Sequence, residues 1–147
     1  MTSNPELSIL VVEDDPGHAR LIEKNLERSG ITNSITTVSD GQQALDFLFS
    51  EGSFSTQDAP IHLLVLLDLN MPVVDGYQVL ERMKADERTR RIPVIVLTTT
   101  DDPREVARCY ELGCSVYITK PVDYEKFSQA IERLGLLLSI VTVPDGE

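Results

Sequence analysis

A run of aliphatic residues that ends in a carboxylate constrains this chain more than any other stretch. Residues 63–67 read Leu-Leu-Val-Leu-Leu, and Asp68 follows directly. Five aliphatic residues without Gly or Pro predict a short strand that is buried on both faces, as in the centre of a parallel sheet. The carboxyl ends of such strands face the ligand crevice, so Asp68 is predicted to lie at a functional site. A buried carboxylate is costly alone, so it should have a cation or hydrogen-bond donors as partners.

Strands and helices are predicted to alternate along the chain. Apolar runs of strand length occur at residues 9–12, 63–67 and 94–97, and two further short strands are predicted at 35–38 and 115–118. A helix-like pattern follows each run and begins at an aspartate, namely Asp15, Asp40, Asp75, Asp102 and Asp123. Aspartate is a preferred N-cap residue, and the prolines after Asp15 and Asp102 suit the first helical position. This alternation predicts an α/β fold in which right-handed strand–helix–strand units surround a parallel sheet.

Charge and composition limit the classes of partner. The 147 residues carry a formal net charge of −11, which disfavours nucleic acid and anionic membrane surfaces because both attract clustered Lys and Arg. No apolar run approaches the ~18 residues of a membrane span, and the N-terminus lacks the pattern of a signal peptide. Cys109 and Cys114 match neither a redox pair nor a zinc knuckle, so we predict two buried free thiols. We therefore expect a cytoplasmic protein with one domain.

The predicted strand ends bring several polar groups to one edge of the sheet. Glu13 and Asp14 follow the first strand, and Asp68 follows the third. Neighbouring strands lie ~4.8 Å apart, so these carboxylates could approach closely and would then need a cation. Three hard oxygen ligands with room for water favour Mg²⁺, whereas zinc is disfavoured because no thiolate or imidazole accompanies them. Thr98 and Lys120 stand at the ends of the fourth and fifth strands.

The turn after the first strand indicates the chemistry of the site. Nucleotide-binding α/β domains have glycines and free backbone N–H groups there, whereas this acidic turn would repel a phosphate that lacks a metal. With Mg²⁺ beside Asp68, and with Lys120 and the Thr98 hydroxyl opposite, the site would instead stabilise a phosphoryl group carried on Asp68 itself.

Together these residues resemble the receiver domain of two-component response regulators. The motifs that carry the resemblance are Glu13-Asp14, Asp68-Leu69-Asn70-Met71-Pro72, Asp75-Gly76, Thr98-Thr99 and Tyr117-Ile118-Thr119-Lys120-Pro121. The resemblance implies a flavodoxin-like, doubly wound, five-stranded parallel sheet in the order 2-1-3-4-5 with five helices. It also implies a single receiver domain over residues 1–147, with a core at about 7–138 and a C-terminal extension at 139–147.

The resemblance implies a role for each residue of the acidic site. Asp68 would be the phosphoacceptor, and Glu13, Asp14, Asp68 and the carbonyl of Asn70 would bind Mg²⁺. Many relatives have an aspartate where this chain has Glu13, so Glu13 is expected to reach the metal through water. The protein would therefore be no enzyme, but a phosphoacceptor that takes part in its own phosphorylation and dephosphorylation.

The remaining motif residues would read out the phosphoryl group. The resemblance implies that Thr98 binds a phosphoryl oxygen, that Lys120 pairs with it, and that a cis peptide precedes Pro121. Tyr117 would be the ring that changes rotamer as Thr98 moves. His18 and His62 are instead predicted to have only surface or packing roles.

Two further features suggest a group within the family and a partner. The polar loop at residues 50–60, the segment at 40–48 and the extended C-terminus are similar to single-domain regulators that pair with phytochrome-type histidine kinases. In the last helix, one apolar stripe can pack on the sheet and consists of Phe127, Ile131, Leu134, Leu138 and Val141. Leu136, Leu137, Ile140 and Val143 lie off that stripe, which predicts a homodimer through the last helix and the C-terminal arm. The alternative is a tail that folds back on its own domain.

Two other functions remain open from the residues alone. The same architecture could carry a small-molecule binder or a metal-dependent hydrolase, because the fold does not determine the function. A flavin binder would lack the acidic turn and would have aromatic platforms, whereas this chain has no Trp. A receiver-like module that no longer accepts phosphate is the remaining alternative, and the intact acidic pair, acceptor, Thr98 and Lys120 argue against it.

Overall fold

Five strands alternate with five helices in the computed structural model, which describes residues 7–28, 34–52, 62–71, 73–120 and 123–138. The elements are β1 (Leu7–Val12), α1 (Pro16–Arg28), β2 (Ser34–Val38), α2 (Gly41–Leu48), β3 (His62–Leu67), α3 (Gly76–Ala85), β4 (Val94–Thr98), α4 (Pro103–Leu112), β5 (Val116–Thr119) and α5 (Tyr124–Leu138). Every predicted strand and helix is present. The strand bounds differ from the prediction by one or two residues. β1 to β4 are longer than predicted because pairing with a neighbouring strand extends beyond the predicted run, and β5 begins and ends one residue later.

The strands form one parallel sheet in the order β2-β1-β3-β4-β5. The predicted flavodoxin-like topology is therefore confirmed. Val12 of β1 pairs in register with Leu67 of β3, and Thr98 of β4 pairs with Thr119 of β5. Because the register aligns the ends of these strands, the residues that follow them emerge at the same edge of the sheet.

Two hydrophobic clusters cover the two faces of the sheet. Alternate residues of β1, β3 and β4 point to opposite sides, as the pleat of a strand requires. On one side they pack against α2, α3 and α4, and on the other against α1 and α5. The central strand β3 is buried along Leu63–Leu67, as its aliphatic run predicts. The predicted buried thiols, Cys109 and Cys114, are also confirmed, and burial raises the pKa of Cys109 to about 11.

Aspartates begin the helices, as the sequence predicts. Each accepts a hydrogen bond from a backbone N–H group of the first turn: Asp15, Asp40, Asp75, Asp102 and Asp123. The cap at α3 is a complete capping box, in which the Gln78 side chain also accepts from the backbone of Asp75. These caps determine the residue at which each helix begins. They therefore also determine the length of the loop that connects it to the preceding strand.

Some predictions fall on residues that the structure does not describe. These are most of the loop at 50–60, the peptide bond before Pro121 and the arm at 139–147. Phe127 and Ile131 of the predicted stripe are buried, whereas the side chains of its later members lie outside the described residues. The division into a core at 7–138 and an extension at 139–147 therefore stays a prediction. Among the described helices, none is long and apolar enough to cross a membrane.

The start of α2 lies close to the loop between β3 and α3. A Cβ atom added to Gly41 would lie 2.0 Å from the carbonyl oxygen of Val74, in the loop between β3 and α3. We expect Gly41→Ala to lower the free energy of unfolding by about 2 kcal/mol, because this backbone must move to admit a methyl group. Urea unfolding followed by circular dichroism measures the change.

Gly17→Ala is the matched control for this substitution. The nearest atom to its added Cβ would be Oδ1 of the Asp15 side chain, at 3.2 Å, and Gly17 lies in the exposed first turn of α1. Alanine is a better helix former than glycine, so no loss of stability is expected. Equal free energies of unfolding for the two variants would contradict the close approach of α2 to the β3–α3 loop.

Candidate functional site

The carboxyl edge of the sheet gathers four buried polar side chains. They are Glu13 after β1, Asp68 after β3, Thr98 at the end of β4 and Lys120 after β5. Backbone hydrogen bonds continue the sheet beyond the strands at three of these positions: from Glu13 N to Val38 O at 3.0 Å, from Asp68 N to Val12 O at 3.0 Å and from Lys120 N to Thr98 O at 2.6 Å. The sheet therefore fixes the backbone at these positions, which limits how far the four side chains can move apart.

The start of α3 fixes the backbone of Asp68 from behind. The N–H group of Gly76 donates to the carbonyl of Leu69 at 3.0 Å. A Cβ atom on Gly76 would lie 2.4 Å from the carbonyl oxygen of Asp68, so only glycine permits this approach. Glycine at position 76 of the Asp75-Gly76 motif thus has a structural role: it lets α3 pack directly against Asp68, the residue that follows β3.

Three carboxylates converge at this edge. One oxygen each from Glu13, Asp14 and Asp68 lies within 4.8 Å of the others, and Asp14 is exposed whereas the other two are buried. Ligands on opposite sides of a Mg²⁺ ion are about 4.2 Å apart, so small side-chain movements would bring these oxygens into range. An acidic, oxygen-only donor set with one side open to water fits the preference of Mg²⁺.

Lys120 crosses the site and neutralises part of this charge. Its Nζ donates a hydrogen bond to Oε1 of Glu13 and lies 3.6 Å from Oδ2 of Asp68. Burial raises the pKa of Glu13 from 4.5 to about 7; the hydrogen bond from Lys120 opposes this rise, and the charge of Asp68 adds to it. The cluster contains three carboxylates and one ammonium group, so a further cation would bring its charge closer to neutral.

Asn70 lies next to both Asp68 and Thr98. The Asn70 amide Nδ2 is 3.5 Å from Thr98 Oγ1, and the Asn70 N–H group faces Asp68 Oδ1 at 3.4 Å, so both contacts are at the limit of hydrogen bonding. Thr98 is fully buried, whereas Asn70 is exposed. A hydroxyl and an amide thus stand beside the carboxylate and are free to take shorter contacts with a new group.

Tyr117 connects the site to the start of α4. Its ring is half-buried against the core beneath α2–α4, and its hydroxyl donates to the carbonyl of Thr100 at 2.6 Å. Burial raises the pKa of Tyr117 to about 12, so the phenol stays neutral and keeps its proton for this bond. Thr100 lies two residues after Thr98, so the hydrogen bond of Tyr117 reaches a backbone carbonyl close in sequence to the buried Thr98 hydroxyl.

His18 is the site residue that sequence reasoning missed. The sequence predicts only a surface or packing role, and the ring does pack edge-on against Phe127, with 5.3 Å between centroids. Its Nδ1, however, also lies 3.2 Å from Lys120 Nζ. The signal was present in the Asp15-Pro16 helix start, because a helix that only three residues connect to the preceding strand has its first turn at the same edge of the sheet. The side chain of His62 lies outside the described residues.

Comparison with known proteins identifies the family. The family model of the response regulator receiver domain matches residues 9–132. The chain belongs to this family. Receiver domains of response regulators are signalling proteins in two-component systems and are phosphorylated by sensor histidine kinases. The predicted recognition is confirmed, and these matches give no support to the hydrolase alternative.

Individual relatives cover nearly all of this receiver. Response regulator Rcp1 of Synechocystis sp. is 39% identical over 145 residues, which cover 97% of this chain and 96% of Rcp1. A crystal structure of a receiver domain from Rhodospirillum rubrum is 51% identical, covers 94% of this chain and 97% of its own, and superposes with a TM-score of 0.87. The phosphorylated cyanobacterial phytochrome response regulator RcpA is 36% identical and covers 93% of this chain and 97% of its own, with a TM-score of 0.85.

The pKa of Glu13 predicts how stability depends on pH without metal. Between pH 4.5 and about 7, Glu13 is protonated in the folded state but ionised in the unfolded chain, so folding takes up a proton. Its contribution to stability is therefore fully present below pH 4.5 and is lost as the pH rises through about 7. In EDTA, we expect the free energy of unfolding to fall by on the order of 2 kcal/mol across this range.

Glu13→Gln isolates this effect, because glutamine keeps the size of the side chain and still accepts from Lys120. The pH dependence of the unfolding free energy between pH 5 and 8 should be flatter in the variant than in the wild type. Urea denaturation at several pH values measures both curves. Parallel curves would show that Glu13 ionises in the folded protein as it does in the unfolded chain.

Proposed function

We propose that this receiver accepts a phosphoryl group on Asp68 from the phosphohistidine of a sensor kinase, with Mg²⁺ bound beside it. The observation that carries the proposal is the environment of Asp68: a buried carboxylate 3.6 Å from the ammonium of Lys120 and clustered with two further carboxylates. A cation and a nucleophile at this distance can attract and orient a dianionic group.

The transfer is a displacement at phosphorus. An oxygen of Asp68 forms the new O–P bond, the P–N bond to the kinase histidine breaks, and its electron pair stays on the imidazole nitrogen that leaves. Lys120 pairs with the charge of the phosphoryl oxygens, and the hydroxyl of Thr98 donates to one of them. Glu13, Asp14, Asp68 and the carbonyl of Asn70 would hold Mg²⁺, which would supply further positive charge to the transferring group.

Two relatives support the metal and the modification. A solved structure of Rcp1 is its Mn²⁺-bound form, at 35% identity and a TM-score of 0.86, with 93% of this chain and 98% of the other covered. RcpA is a phytochrome response regulator and was solved in its phosphorylated form. By this likeness, and by the polar loop at 50–60 in the sequence, we assign a phytochrome-type kinase as the partner.

The net charge of −11 favours protein partners over nucleic acid, and the two buried thiols suit a cytoplasmic location.

The response to phosphorylation would run through Thr98 and Tyr117. A phosphoryl oxygen on Asp68 would draw the Thr98 hydroxyl, and with it the backbone that leads to Thr100. Because Tyr117 donates to the Thr100 carbonyl, movement of that carbonyl would break the bond and release the ring. The surface of α4 and β5 would then change, and phosphorylation would be passed on as a change in protein contacts.

Intact mass spectrometry tests the acceptor directly. With acetyl phosphate and Mg²⁺, the wild type should gain one phosphoryl group, and Asp68→Asn should gain none because the nucleophilic oxygen is lost. Asp101→Asn is the matched control, since it removes one exposed carboxylate from the β4–α4 loop and should react as the wild type does. EDTA should abolish the gain in every variant. An adduct on Asp68→Asn, or none on the wild type, would contradict the proposal.

We also propose that the last helix and residues 139–147 form a homodimer contact. Its support is the sequence pattern of Leu136, Leu137, Ile140 and Val143, which lie off the stripe that faces the sheet. Sedimentation velocity at tens of micromolar protein should show a dimer, and Leu137→Glu should give a monomer by adding a charge to the contact.

Gln129→Glu is the control for this dimer test, because it adds the same charge at an exposed position of α5. The control should sediment as the wild type does. A wild-type protein that stays monomeric with and without acetyl phosphate would instead favour a tail folded on its own domain.

A further inference from the structure

The ammonium of Lys120 meets three acceptors, and one of them has no assigned role. Glu13 accepts a hydrogen bond, Asp68 lies at 3.6 Å, and Nδ1 of His18 lies at 3.2 Å. An ammonium group has three N–H donors and no acceptor, so the His18 nitrogen must be unprotonated and the ring proton must be on Nε2. The nearest other charge to this nitrogen is Oδ2 of Asp15 at 3.9 Å, beyond hydrogen-bond distance.

The packing of two helices holds the His18 ring in this position. The ring contacts Phe127 of α5 edge-on, with planes at 81°, and Phe127 is itself buried. A hydrogen bond of 2.9 Å from Ser128 Oγ to Asn25 Oδ1 joins α1 to α5 nearby. The imidazole is thus fixed by a contact between α1 and α5 that does not depend on the carboxylate cluster.

We propose that His18 is a positioning residue, whose neutral imidazole accepts a hydrogen bond from Lys120 and keeps the ammonium beside Asp68 during phosphoryl transfer. The inference rests on the proposed function and extends it to a residue outside the family motifs of the sequence. Glu13 is a partner of Lys120 but also a proposed metal ligand, so its oxygens are shared. The His18 nitrogen is not a proposed metal ligand, and Asp15 Oδ2 lies 3.9 Å from it, beyond hydrogen-bond distance. His18 is therefore the more constant partner of a long, flexible side chain.

Two substitutions separate the acceptor from the ring. His18→Asn attaches an acceptor oxygen to the same carbon that carries Nδ1, whereas His18→Phe keeps the aromatic contact with Phe127 and removes the acceptor. Acetyl phosphate is the donor, because it needs no kinase docking on α1. With Mg²⁺, we expect His18→Phe to be phosphorylated about tenfold more slowly than the wild type and His18→Asn within about threefold of it.

The outcomes of the rate experiment are distinct. A slow phenylalanine variant with a nearly normal asparagine variant supports the proposal. A slow asparagine variant with a normal phenylalanine variant would mean that the ring only packs. Equal slowing of both variants would mean that an acceptor at this position does not restore the rate, and normal rates in both would mean that Lys120 needs no third partner. Each of these three results overturns the proposal. A wild type that takes no phosphoryl group contradicts the proposed function itself, and with it any role in transfer.

Nitrogen NMR tests the contact without any phosphorylation. The chain has two histidines, so His62→Gln leaves the His18 nitrogens as the only imidazole signals. We expect the tautomer with the proton on Nε2 and an Nδ1 resonance that moves in Lys120→Met. Lys126→Met, which removes an exposed lysine of α5, should leave the resonance in place. A proton on Nδ1, or no response to Lys120→Met, would overturn the contact.

Discussion

The ion pair between Lys120 and the carboxylates at the other strand ends is the interaction on which this site depends. Glu13 and Asp68 are buried, and the free-energy cost of burying either charge without a partner would be comparable to the whole stability of a small domain. The ammonium group of Lys120, which follows β5, reduces the cost of burying both carboxylates. Its hydrogen bond to Glu13 joins residues that are 107 positions apart in the sequence. Because one ammonium group faces three carboxylates, the cluster keeps excess negative charge, which would favour the binding of a cation.

The parallel sheet is what makes this arrangement possible. The register between β1 and β3 and between β4 and β5 brings the strand ends to one level, and hydrogen bonds beyond the strands hold Asp68 and Lys120 in place. Glycines at the starts of α2 and α3 then let the helices approach the loop behind Asp68. The position of the acceptor thus follows from backbone contacts, whereas its chemistry follows from the charges around it.

The sequence predicts the alternation of strands and helices, because the aliphatic run Leu63–Leu67 favours a buried strand and each helix begins after an aspartate. The order of the strands in the sheet is predicted from the resemblance to receiver domains. The sequence also predicts which residues lie at the strand ends. It does not predict that Lys120 bonds to Glu13 or contacts His18, since both pairs join distant parts of the chain and depend on side-chain rotamers rather than on strand order. Prediction by motif identifies what a family shares, whereas His18 is outside the motifs and is found only from its contacts.

Locating the phosphoryl group on the chain tests the central claim most directly. Borohydride reduces an aspartyl phosphate to homoserine, so the modified position can be read by peptide mass spectrometry after reaction with acetyl phosphate and Mg²⁺. The account predicts conversion at Asp68 and at no other carboxylate. Conversion at Asp14 or Asp75, or an unchanged Asp68 in protein that carries the phosphoryl group, would contradict it.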